Sequence, residues 1–173
     1  MQLFAERGYQ ETTAADIAAA AGVSRATFFV YFPTKAALLG EVSREMAELW
    51  TREPQIPGER AAARIVRFVA FLFRESESGA IGTALLRDFV ETYGDDMTAG
   101  SGRGTLHHHA EAMIGQAQAE GDWVSDWPAT MLAHHLLGTF SWMLERLQAQ
   151  DPEIAAEAMM RLVMQGAARR IGR

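Results

Sequence analysis

Five histidines are the side chains in this sequence best suited to chemistry. His107, His108 and His109 are consecutive, and His134 and His135 form a second pair. Successive residues on a helix point about 100° apart, so the three cannot close together on one metal ion. His109 could meet His134 or His135 across two helices, with Glu111 beside them. There is no cysteine, which excludes disulfides and thiolate zinc sites. No HExxH pair, GxSxG elbow, Walker loop or Rossmann glycine pattern is present. The chain therefore reads as a non-enzyme needing no cofactor and no metal. The histidines read as surface residues or as polar anchors for a ligand. Turnover lost on mutating His109 or His135 would be needed to revive an enzyme.

A different chemistry, hydrogen bonding to a polyanion, is written into residues 12–39. Thr12 and Thr13 are helix N-cap residues, and Ala14 to Ala21 has high helix propensity. Gly22 stands where the helix must stop, since glycine accepts the left-handed conformation of a C-terminal cap. Val23 is placed to plug the angle between two helices, and Ser24 caps the next. That helix, Arg25 to about Phe32, is short and aromatic. Phe28 and Phe32 share one face, while Arg25, Ala26, Phe29 and Val30 point elsewhere. Pro33 breaks it. Thr34 caps a third helix from Lys35 to roughly Trp50, with Leu38, Leu39, Val42, Met46 and Leu49 at helical spacing. Helix, tight turn and short second helix form a helix-turn-helix, the unit that lays one helix in the major groove of DNA.

The runs LFAERGY at 3–9, TTAADIAAAAGVS at 12–24 and YFPTKAAL at 31–38 resemble the DNA-binding domain of TetR-type transcriptional regulators. The resemblance implies an all-α homodimer. Its N-terminal domain would bind a palindromic operator as a repressor, and its C-terminal domain would bind a small-molecule inducer. Carried over position by position, it implies a second helix at about 14–21 and a recognition helix at about 24–31. Thr13 would contact phosphate at a helix N-terminus. Ser24 would open the recognition helix, and Arg25 would read a guanine through O6 and N7. Ala26 and Thr27 would lie against the groove. Tyr31 would donate to phosphate, and Lys35 would pair with one as a point charge. Phe29 stands where the family usually has tyrosine, which removes one phosphate hydrogen bond. The family's first helix also usually begins ten or more residues before its Leu-Phe pair, so residues 1–40 read as carrying a shortened first helix. They are formally neutral, with Arg7, Arg25 and Lys35 against Glu6, Glu11 and Asp16. Phosphate neutralisation supplies much of DNA affinity. The alternative reading is therefore a helical ligand-binding or interaction protein whose reader domain is impaired by N-terminal loss.

Composition is compatible with either reading. A hydrophobic content of 49% with 22% charged residues fits a folded soluble chain. A net charge of −6 does not exclude DNA, because the surface distribution decides. No run reaches about eighteen apolar residues, so no membrane span is expected. The absence of cysteine and of a visible signal peptide fits a cytoplasmic protein.

Residues 53–58 (EPQIPG) read as the linker between a DNA-binding domain at 1–52 and a ligand-binding and dimerisation domain at 53–173. Five further helices are expected: about 59–75, 80–93, 105–120, one from Asp126 as cap with Pro128 in its first turn to near 150, and one from Asp151 and Pro152 to about 171. A glycine-rich loop fills 94–104. The last helix shows Ala155, Ala158, Met159, Leu162 and Gly166 on one face. The helix before it carries Leu132, Leu136, Phe140, Met143 and Leu147, and also Met131, Leu137, Trp142 and Leu144 on other faces. A helix apolar nearly all round must be covered on two sides, and a second copy of the chain is the simplest cover for the outer one. An apolar inducer pocket is expected inside this domain, lined by Phe68, Phe71, Leu72, Phe89, Tyr93, Met113, Met131, His135 and Phe140.

Overall fold

The structure is a computed structural model that describes residues 3, 7, 11–77, 106–123, 125–144 and 151–168. Its described elements are seven helices: α1 (Ala14–Ala20), α2 (Arg25–Tyr31), α3 (Lys35–Thr51), α4 (Ala61–Glu77), α5 (Leu106–Ala119), α6 (Ala129–Leu144) and α7 (Pro152–Ala168). There is no strand among the described residues. The fold is all-α, as the sequence predicts. The helix expected at 80–93 and the loop at 94–104 lie outside the described residues, and Phe89 and Tyr93 with them.

The boundaries follow from local chemistry. Thr13 and Asp16 form a reciprocal box at the start of α1: the Asp16 amide donates to the Thr13 hydroxyl at 3.1 Å, and the Thr13 amide donates to the Asp16 carboxylate at 2.9 Å. Gly22, at φ 68°, ends the helix; Gly22 N–H donates to Ala19 and Val23 N–H to Ala18, which satisfies two orphan carbonyls. Gly121, at φ 77°, does the same after α5, with Asp122 N–H donating to the Ala117 carbonyl. Phe32 caps α2 in an extended conformation, φ −128°, as a residue preceding proline must. Thr34 accepts from the Ala37 amide to open α3. Asp151 accepts from the Glu153 amide at 2.9 Å, with Pro152 as the first residue of α7. α6 departs from expectation: it begins at Ala129, and the Pro128 carbonyl accepts its first hydrogen bonds, so Pro128 stands before the first turn rather than within it.

One hydrophobic cluster runs from α3 through α7 and includes Met46, Trp50, Ile65, Phe68, Leu72, Ile114, Leu136, Phe140 and Met159. α4 packs on α5 and α7, and α6 packs on α5. α3 reaches this cluster through Met46 and Trp50 and is tied to the start of α5, where the Leu106 amide donates to Ser43 Oγ at 3.2 Å. The segment from 52 to 60 is strapped to α4. Arg67 holds the Glu59 carboxylate through Nε and Nη2, at 3.0 and 2.8 Å, donates to the Pro54 carbonyl, and lies 4.9 Å over the Trp50 ring. Two turns later Arg74 holds Glu53 and lies over Phe71. A planar guanidinium paired on one side and stacked on the other loses little freedom in either contact.

The buried face of α7 is Ala155, Ala156, Met159, Met160 and Val163. This corrects the stripe read from spacing: Ala158 is exposed, as is Leu162 at 53%. Val23 is also 40% exposed and does not fill the angle between α1 and α2.

Candidate nucleic-acid interface and ligand pockets

α2 is seven residues long and buries one of them. Phe28 anchors it, 4% exposed, with the Phe29 and Phe32 rings 5.3 and 5.5 Å away. Arg25, Ala26, Thr27, Phe29, Val30 and Tyr31 all face outward. Ser24 holds the helix start by accepting from the Thr27 amide at 3.0 Å, and the two hydroxyls lie 2.8 Å apart. The Arg25 guanidinium sits 5.6 Å over the Phe29 ring and makes no ion pair among the described residues. A stacked guanidinium keeps its edge N–H groups free, which suits a planar partner such as a base edge. Tyr31 is 74% exposed. Lys35 opens α3, just beyond this surface.

Thr13 is placed differently from its companions. Its amide and its hydroxyl are both engaged by Asp16. These hydrogen bonds hold the Asp16 carboxyl below the ordinary aspartate range, with Arg7 3.8 Å away as a weaker influence. A phosphate approaching the start of α1 would meet a carboxylate already seated there, so the phosphate role expected of Thr13 competes with its capping role.

The nine residues expected to line an inducer pocket separate into groups. Phe68, Phe71, Leu72, Met113 and Phe140 are buried in the common core. Met131, 55% exposed, and His135 lie on the outer face of α6, away from that core. There they line an apolar groove of about 1030 Å³ with Pro128, His134, Trp142 and Leu162 of α7. The helix crowded with apolar residues on two faces thus has one in the core and one outward.

A second, smaller pocket of about 240 Å³ lies where α3, α4 and α5 meet; Trp50, Gln55, Arg64, His109, Met113 and Gln116 line it. Of these, only Met113 is among the nine residues expected to line the inducer pocket, and His109 is one of the histidines read as a polar anchor for a ligand. His109 faces this pocket and not His134 or His135. It is His107 that meets His134, their rings 5.7 Å apart. Among the described residues, no three His, Asp, Glu or Cys side chains converge as metal ligands would. No described helix is long and apolar enough to cross a membrane.

The class defined by this arrangement is a short, outward-facing helix-turn-helix set on a larger helical domain. Residues 1–42 match the family model for bacterial regulatory proteins of the tetR family. Residues 1–42 thus carry that family's N-terminal domain, and the likeness of the whole chain to the solved structures below is one of fold. No curated protein matches the sequence. Among solved structures, Thermus thermophilus FadR, a TetR-family transcriptional repressor in complex with lauroyl-CoA, is similar over 99% of this chain and 93% of its own, with a TM-score of 0.57 and 22% identity. RolR in complex with resorcinol is similar over 99% and 90%, with a TM-score of 0.62 and 18% identity. AibR in complex with isovaleryl coenzyme A and operator DNA is similar over 94% and 92%, with a TM-score of 0.53 and 18% identity.

Proposed function

We propose that this chain is a ligand-responsive transcriptional repressor that reads a palindromic operator as a homodimer and is released by a small molecule. The observation that carries this reading is α2: six of its seven residues face outward, around an arginine without an ion pair among the described residues. Arg25 reads a base edge, Thr27 and Ala26 approach the groove, and Tyr31, Ser24 and Lys35 contact the backbone. The complexes of FadR, RolR and AibR with small molecules support a ligand-binding role for the larger domain. The outer groove of α6 and α7 is the surface on which a second copy packs, burying Met131, Trp142, Ile154 and Leu162, each more than half exposed in the single chain. A two-fold dimer of this kind spaces its readers about one helical turn of DNA apart. α3 connects the reader to the core through Met46 and Trp50, so a ligand that shifts α3 changes that spacing.

The test is fluorescence anisotropy of the full chain on duplex DNA from around its own gene, at low and moderate salt, with Arg25→Ala in parallel. Sequence-selective, salt-sensitive binding that weakens by about tenfold or more in the variant is expected, the loss typical of one bidentate base contact. Absence of binding at low salt by a folded dimer would reject DNA reading. The formal neutrality of residues 1–40 favours a second reading, a helical ligand-binding or interaction protein, and that outcome would select it.

A further inference from the structure

Four arginines line up along α4 and its start, and they differ in one respect. Arg60 holds Asp122, Arg67 holds Glu59 and Arg74 holds Glu53. Arg64 holds no carboxylate within 4.0 Å among the described residues; its hydrogen bond there runs from Nη2 to the Gln116 amide oxygen at 3.0 Å. Glu59 and Glu120 sense its charge from farther away. Arg64 is half-buried and lines the 240 Å³ pocket at the junction of α3, α4 and α5. A partly covered guanidinium whose partner among the described residues is a neutral amide suits an anionic ligand.

The rest of the pocket supports that assignment. Gln116 is oriented, because its Nε2 donates to Glu120 Oε1 at 2.8 Å while Glu120 Oε2 accepts from the Ala61 amide. The amide oxygen therefore points at Arg64 and steers the guanidinium. His109 adds an imidazole, which burial pushes below the ordinary histidine range. It is thus uncharged near neutrality and offers one donor and one acceptor. Trp50 and Met113 supply the apolar wall.

We propose that this pocket binds a small organic anion, its carboxylate or phosphate held by Arg64 and its short apolar body laid between Trp50 and Met113. The volume admits a single ring or a short chain. Trp50 and the linker residue Gln55 form part of the wall, so an occupant spans the last turn of α3, the strapped linker and α5. Occupancy changes the angle at which α3 leaves the core. The consequence for transcription rests on the DNA-reading proposal above; the binding itself does not.

The experiment is a titration of the full chain, labelled at its methionine methyls, with benzoate, with its neutral isostere benzamide and with inorganic phosphate, followed by NMR. Met113→Leu assigns the resonance. Benzoate is expected to move the Met113 signal saturably and benzamide is not. Arg64→Gln is expected to weaken benzoate by about tenfold or more, the loss of one charge-assisted contact. An equal response to benzamide, an unchanged affinity in Arg64→Gln, or no movement of Met113 with either anion would overturn the proposal. Should Arg64→Gln fail to fold, the contrast of benzoate with benzamide on the unaltered chain still decides. DNA binding measured on the same samples separates the two claims. DNA bound without benzoate removes only this site, and benzoate bound without DNA removes only the regulator.

Discussion

His107 has its Nε2 buried without a hydrogen-bond partner among the described residues, and it faces the ring of His134. Burial pushes the imidazole below its ordinary value of 6.5; the Thr130 backbone and Glu111 oppose this, and His134 and His108 reinforce it. The folded chain thus binds this proton less readily than the unfolded one. Stability from the neutral form is complete above 6.5 and is lost as the pH falls through the depressed value. The melting temperature is expected to decline from about pH 7 to pH 5, before the carboxylates titrate, and more shallowly in His107→Gln. Equal slopes in the two proteins would show that His107 is not responsible. The pairing with His134 was not legible in the sequence, where His109 looked equally able to reach across. Three consecutive histidines cover most of a helix circumference, and only packing sets which one turns inward. By contrast, Arg25, Ser24 and Thr27 could be placed in advance, because cap and turn chemistry act over four residues and need no tertiary information.

The same contrast holds for whole helices. Their ends were legible where a single residue dictates the backbone. Gly22 and Gly121 stop α1 and the stretch after α5, and Asp151 with Pro152 starts α7. Substitutions of two glycines test this in opposite directions. Gly22→Ala meets no atom within 4 Å but must hold φ at 68°, so it is expected to lower stability by about 1 kcal/mol through the backbone alone. Gly115→Ala lies inside α5, where the added methyl makes only an ordinary contact with Ala129 Cβ at 3.9 Å, and is expected to raise stability by about 0.5–1 kcal/mol. Urea midpoints of the two variants check both signs. The rotation of α6 and α7 about their axes was less legible. Ile154, Ala158 and Leu162 make a stripe as regular as the buried one of Ala155, Met159 and Val163. Hydrophobic periodicity shows that a helix has an apolar face, but where there are two it does not say which one turns toward its own domain. Spacing alone therefore does not show that Met131 and His135 lie on the outward face.

At the scale of the molecule, the outward stripes of α6 and α7 form a continuous apolar surface that includes Trp142 and Leu162. Exposed patches of this kind mark a surface awaiting a partner. A charge at its centre is expected to keep the chain monomeric while leaving it folded, since Trp142 is 52% exposed and contributes little to the core. Sedimentation velocity of Trp142→Glu against the unaltered chain checks this, and a dimer persisting in the variant would place the interface elsewhere. The single cluster from α3 to α7 and the arginine straps on the linker make the connecting helix part of the larger domain's packing. α2 buries only Phe28 of its seven residues. Selection for stability and selection for what that helix touches therefore act on separate residues. If the proposed DNA reading holds, duplicated copies of such a chain can drift to new target sequences by changing Arg25, Ala26 or Thr27 without crossing a valley of misfolded intermediates.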